Sequence, residues 1–170
     1  MSDIPLSALA LALLFLVLLS AFFSGTETGM MALNRYRLRH LARHKHRGAL
    51  RASKLLERPD RLIGLILLGN NLVNNLAAAL VSLIALELFG EAAVAIAVVI
   101  LTVVMLIFAE TAPKTLAALH PERVAFPAAY VLAPLLRVLY PIVAAINWVA
   151  NGLLRLLRVR TDEVDRESLS

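Results

Sequence analysis

The sequence predicts an all-α membrane protein: three transmembrane helices, short basic juxtamembrane helices, and a proline-kinked helix embedded in the membrane as a belt. Three observations lead there. Hydrophobic residues make up 60% of the 170, and the mean hydropathy is +0.79, more apolar surface than a soluble domain of this length can bury. Stretches 4–23, 62–86 and 92–109 contain no charged residue. At about 1.5 Å per residue, each is long enough as a helix to cross the hydrocarbon core. Finally, ten of the 17 Lys and Arg residues fall within 35–61, and none within 62–113. That asymmetry marks 35–61 as cytoplasmic, with the N-terminus outside and the C-terminus inside, in a multi-pass protein of the cell (inner) membrane. Cysteine is absent, which excludes disulfides and thiolate metal sites. No internal repeat or low-complexity linker divides the chain, so residues 1–160 read as one membrane domain.

The first span, 4–23, lacks the basic leader of a signal peptide, since Asp3 is acidic, and it exceeds the usual apolar length of one. It ends in Ser24-Gly25-Thr26-Glu27-Thr28-Gly29, a glycine-bracketed polar hexapeptide expected to loosen or break the helix and free backbone carbonyls. The plainer reading is a helix end at the interface. In the basic block, Leu38, Leu41, Leu50, Leu55 and Leu56 predict two short amphipathic helices broken at Gly48 and lying along the membrane surface. Flanked by spans, their cations suit anionic lipid headgroups rather than nucleic acid. His40, His44 and His46, among so many cations, read as solvated surface.

The second span, 62–86, carries Gly69-Asn70-Asn71-Leu72-Val73-Asn74-Asn75 within it. Asn70 and Asn74 share one helical stripe, and Asn71 and Asn75 the next. Side-chain amides at that depth need partners, either a bound ligand or a neighbouring helix. The turn 87–91 has two glutamates and no basic residue, so it faces outward. The third span, 92–109, leads into Glu110-Thr111-Ala112-Pro113-Lys114. Pro113 has no N–H to offer the carbonyl of Ala109, which is left available beside the Glu110 carboxylate.

These polar clusters coincide in depth. Along the first span, Ser20 and Ser24 lie about 24 and 30 Å from the outer end, and Glu110 about 27 Å along the third. Asn70 and Asn74 lie about 12 and 18 Å from the inner end of the second. All fall in the inner half of the bilayer, so a shared site is expected. Hydroxyl, amide, carboxylate and carbonyl oxygens suit Mg²⁺, Ca²⁺, Mn²⁺ or Na⁺ rather than zinc or copper. One firm carboxylate, with Glu27 as a second, neutralises a divalent ion only partly, as release from a carrier requires.

The segments Ser24-Gly-Thr-Glu-Thr-Gly29, Gly69-Asn-Asn-Leu-Val-Asn74 and Glu110-Thr-Ala-Pro-Lys114 resemble, in order and spacing, the signatures of the transmembrane domain of the CorC/cyclin M (CNNM) magnesium transporter family. The resemblance implies a homodimeric carrier of Mg²⁺, with Na⁺-driven efflux in cyclin M relatives. It also implies cytoplasmic CBS-type domains downstream that this sequence does not contain. Two departures stand out: Gly29 where alanine is usual, and Asn75 where an apolar residue is common.

Residues 124–157 are apolar enough for a fourth span. However, His120 and Arg123 precede them, Arg155, Arg158 and Arg160 follow, Arg137 sits mid-way, and Pro127, Pro134 and Pro141 recur every seven residues. Basic flanks on both sides and a central arginine predict a kinked belt returning to the inner face, which the resemblance also implies. The acidic stretch 161–170 reads as the start of a cytoplasmic linker.

Taken together, these features predict a secondary transporter domain holding Mg²⁺ through Ser20, Ser24, Asn70, Asn74 and Glu110, and the resemblance implies Na⁺ as coupling ion. Glu27, Asn71 and Lys114 fall nearby as gate or network residues. The competing reading is a membrane anchor or dimerisation module whose polar residues only join helices. No Ser-His or paired-Asp arrangement occurs at membrane depth, so enzymatic activity is not expected.

Overall fold

The computed structural model describes residues 4–157. Those residues are almost entirely helical, and no strand occurs among them. The order is α1 (Leu6–Ala32), α2 (Arg35–Arg43), α3 (Arg47–Leu56), α4 (Pro59–Phe89), α5 (Ala92–Val104), a π-helical segment (Met105–Thr111), α6 (Ala112–Leu119) and α7 (Pro121–Leu156). Among the described residues, four helical stretches are long and apolar enough to cross a membrane: α1, α4, the continuous run Ala92–Leu119, and α7. By length and composition the expected belt therefore counts as a fourth.

Two local expectations are corrected. The hexapeptide 24–29 does not break the helix: α1 continues through it to Ala32, 27 residues in all. Its small residues serve close packing instead. A Cβ on Gly25 would stand 3.5 Å from Pro113 Cβ, and one on Gly29 would stand 3.4 Å from Val124 Cβ. Neighbouring backbones thus hold α1 helical where propensity alone would not. An alanine at position 29 would meet only ordinary van der Waals contact.

Between α2 and α3 the break lies at His44-Lys45-His46, not at Gly48. Lys45 adopts φ +60°. Its N–H bonds to the Ala42 carbonyl, and that of His46 to the Leu41 carbonyl, the paired bonds of a Schellman cap. His46 then caps α3, its Nδ1 accepting from the Ala49 N–H at 3.1 Å. Gly48 sits inside α3 because Phe126 of α7 presses on it: an added Cβ would lie 2.8 Å from the Phe126 Cβ. Finally, α7 runs unbroken for 36 residues with all three prolines inside it. Those prolines occupy exposed or half-buried positions, where the lost N–H bonds leave carbonyls facing outward.

The apolar core gathers at the end of the bundle that carries α2 and α3. Met30 of α1, Leu62, Leu65 and Ile66 of α4, and Leu132 and Val143 of α7 are fully buried there. At the opposite end, α1, α4 and α5 stand apart around an apolar groove of about 950 Å³. Besides Phe126 on α3, helix α7 sets Val124 against Gly29 of α1, and Val143 with Asn147 against Gly64 of α4. The Asn147 amide also donates to the Asp60 carbonyl at 3.4 Å.

Candidate functional site

The site begins with two serines one turn apart on α1. Ser20 and Ser24 are wholly buried, and they face α4 and the π-helical segment respectively. Ser20 Oγ lies 3.1 Å from Asn70 Oδ1 and 2.6 Å from Asn74 Oδ1. A hydroxyl has one hydrogen, so it donates to only one of these oxygens at a time. Three oxygens with a single proton among them form an electron-rich corner lacking positive charge. What lets α1 and α4 approach this closely is Gly69, against which the Phe23 ring lies so near that a Cβ would meet it at 2.5 to 2.9 Å.

One turn further along α1, Ser24 Oγ donates to Glu110 Oε2 at 3.2 Å. The same carboxylate oxygen accepts the Lys114 ammonium at 3.2 Å, an i,i+4 pair. Glu110 is half-buried and Lys114 more exposed. The carboxylate is delivered by the π-helical turn Met105–Thr111, whose last residues meet Pro113 in the first turn of α6. Proline supplies no N–H at that point, and the extra residue in the turn rotates Glu110 towards α1. A π-turn leaves no periodic mark in a sequence; Pro113 was its only sign. Asn74 and Glu110 both line a cavity of about 290 Å³, together with Thr102 and Met105.

Ser20, Ser24, Asn70, Asn74 and Glu110 therefore converge, and Lys114 joins them through Glu110. Glu27 is half-buried, with no hydrogen bond or ion pair from its side chain among the described residues. Asn71 and Asn75 lie exposed on the outward side of α4, away from the cluster. Thr26, a position that depth alone does not single out, has its hydroxyl wholly buried without a hydrogen-bond partner among the described residues. No group of three or more His, Cys, Asp or Glu side chains able to hold a metal occurs among the described residues. The donors at hand are the oxygens of five side chains from three helical stretches, a hard set with one carboxylate.

Long apolar helices enclosing a polar, oxygen-lined site define an all-helical multi-pass membrane protein. The chain belongs to the CNNM family: the model of the cyclin M transmembrane N-terminal domain matches residues 11–170. It is 54% identical over 152 residues to the UPF0053 inner membrane protein YfjD of Escherichia coli, covering 89% of this chain and 36% of that one. A UPF0053 protein of Haemophilus influenzae is 46% identical over 162 residues, with 95% and 39% covered. The polyamine export protein of H. influenzae is 29% identical over 168 residues, with 91% and 39% covered. The chain thus spans about two fifths of the length of each of these three relatives.

Proposed function

We propose that this domain is a secondary transporter for Mg²⁺, exporting it in exchange for Na⁺, with the ion held by Ser20, Ser24, Asn70, Asn74 and Glu110. The observation that carries the reading is the Ser20 corner: three oxygens, one proton, and Glu110 Oε2 one turn away, already occupied by a built-in cation, Lys114. Two amides and a hydroxyl turned together beside a carboxylate offer a cation a ready set of hard oxygens, more than joining two helices requires. Na⁺ coupling rests on the family alone, and transport as such is favoured by the relative whose name is polyamine export protein.

The same reading places α2 and α3 on cytoplasmic headgroups, the N-terminus outside, and the protein as a homodimer in the inner membrane, in line with the printed name of the E. coli relative. It takes α7 as a belt rather than a fourth span. Since Ser20 faces Asn70 and Asn74, Gly29 lies about 13 Å beyond that pairing along α1, and Gly64 about 9 to 15 Å beyond it along α4. Val124 rests at the first level and Val143 at the second, although some 28 Å of helix separate them. A helix with two such well-separated points at one level runs across the bundle end over that stretch.

The test is Mg²⁺ binding by the purified protein with Glu110 intact and as Glu110→Gln. A carrier loses most binding, because neutral oxygens alone do not offset the dehydration of Mg²⁺. An anchor keeps its fold and shows no ion binding to lose. Unchanged Mg²⁺ binding in Glu110→Gln overturns the site. Spermidine, titrated in parallel, checks whether the cargo is instead an organic polycation.

A further inference from the structure

One flank of α7 carries a row of cations that the ion site does not use. Arg51 of α3 lies over the ring of Tyr130, with its guanidinium carbon 4.3 Å from the ring centre. Arg61 of α4 lies over Tyr140 in the same way, at 4.7 Å. Arg137 stands between the two tyrosines, exposed, seven residues after one and three before the other. Positions separated by three and seven residues share a helix flank, so Tyr130, Arg137 and Tyr140 face the same way over about 15 Å of α7. None of these arginines is paired with a carboxylate among the described residues: the ion pairs there join Arg37 to Glu122, Arg58 to Asp60 and Lys114 to Glu110.

A guanidinium held over an aromatic ring by cation–π attraction still has N–H groups to offer, and these match a phosphate bidentately. The stacking also holds the side chain in place before any ligand arrives, so less freedom is lost on binding. About a third of a turn around α7 from this row, Val131, Val138, Ile142 and Val149 are all exposed. Cations next to an uncovered apolar strip suit a ligand with a phosphate head and an acyl body.

We infer that this flank is a binding site for an anionic phospholipid, with Arg61 and Arg137 on one phosphate and Arg51 on a second. It rests on the membrane-embedded belt proposed above, but it makes a sharper claim than a basic surface near headgroups. Arg137 and Arg61 act within one helical turn, while Arg51 acts about 10 Å further along, within reach of two long side chains. A lipid with two phosphodiesters is therefore preferred to one with a single phosphodiester. The row also gives Arg137, costly within a membrane-embedded helix, a specific partner.

The test uses the purified protein in phosphatidylcholine nanodiscs doped with cardiolipin or with phosphatidylglycerol at equal charge, lipid binding being read by native mass spectrometry. Mg²⁺ binding is followed in the same samples. Cardiolipin is expected to bind the more tightly, and Arg137→Gln to weaken it about tenfold, the loss of one charge-assisted bond, with Mg²⁺ binding intact. Arg51→Gln, on an exposed surface helix, should erase the preference for cardiolipin over phosphatidylglycerol, and Tyr140→Phe should change neither. Arg39→Gln removes the same charge from α2, off the flank, and should have little effect. If Arg39→Gln weakens cardiolipin as much as Arg137→Gln and Arg51→Gln do, attraction is diffuse and the site is refuted. Displacement of cardiolipin by millimolar inorganic phosphate would point to a soluble anion and refute a lipid site. Loss of Mg²⁺ binding in Glu110→Gln with cardiolipin binding unchanged leaves the lipid site standing on its own.

Discussion

Replacing Lys114 by glutamine tests whether the lysine is a stand-in for the transported ion. Its ammonium lies 3.2 Å from Glu110 Oε2, the oxygen that also receives the Ser24 hydroxyl. Any Mg²⁺ that reaches this carboxylate must displace the ammonium and forfeit the attraction between them. At that separation two unit charges attract by about 5 kcal/mol at an effective dielectric of ~20 and about 1.3 kcal/mol in bulk water. The side chains are 48% and 27% exposed, which moves the pair towards the weaker value, about 1 to 2 kcal/mol. Converted to affinity, that is roughly 5- to 30-fold. Lys114→Gln should accordingly tighten Mg²⁺ binding by that factor in calorimetric titrations at fixed ionic strength, whereas Lys114→Arg, which keeps the charge, should not. The gain should fall on the dissociation constant, and transport should slow as release becomes harder. Mg²⁺ affinity unchanged or weakened in Lys114→Gln would refute the competition, since removal of a rival cation has to favour the ion.

Other perturbations follow from the same geometry. Ser20→Ala removes the hydroxyl that faces both amide oxygens and should reduce Mg²⁺ affinity tenfold or so, as loss of a ligand to a charged group does; Asn75→Ala, on the outward side of α4, should leave titrations unchanged. Gly69→Ala puts a methyl carbon 2.5 Å from the Phe23 ring and should destabilise the protein by about 1 to 3 kcal/mol, read as a lowered midpoint of thermal unfolding. Lys45→Gly relieves a side chain held at φ +60° and should gain about 1 kcal/mol of local stability, visible as slower hydrogen exchange at the α2–α3 junction. A cysteine introduced at Gly90 should be labelled by an impermeant reagent from outside and one at His44 should not; the opposite pattern would reverse the orientation.

The helical, membrane-spanning character of the chain was legible because hydrophobicity and charge asymmetry act over tens of residues. So was the convergence of Ser20, Ser24, Asn70, Asn74 and Glu110, since depth along a helix is counted residue by residue. The misreadings were local and had tertiary causes. Gly25 and Gly29 look like helix breakers until Pro113 and Val124 occupy the space beside them. Gly48 looks like a hinge, yet the turn falls on Lys45 because the Phe126 contact needs a glycine inside α3. Asn71 is placed by helical phase, and the tempting repetition Asn-Asn hides that only one residue of each pair can point at α1. The tyrosine-stacked arginines join residues far apart in sequence, Arg51 with Tyr130 and Arg61 with Tyr140, and no local pattern announces such pairs.

The Phe23 ring seated in the notch at Gly69 acts as a caliper for the neighbouring oxygens. Ser20 is three residues before Phe23, and Asn70 is the residue after Gly69, so the thickness of one aromatic ring gauges how far apart their oxygens stand. Oxygens bind Mg²⁺ at about 2.0 to 2.1 Å and Ca²⁺ at about 2.3 to 2.6 Å, so shims of a few tenths of an ångström decide between the two ions. A larger residue in the notch would wedge α1 and α4 apart by more than that. Discrimination between ions of equal charge would then reside in a contact between a ring and a bare glycine backbone, and the slimmer Phe23→Leu would retune it without altering a single ligand.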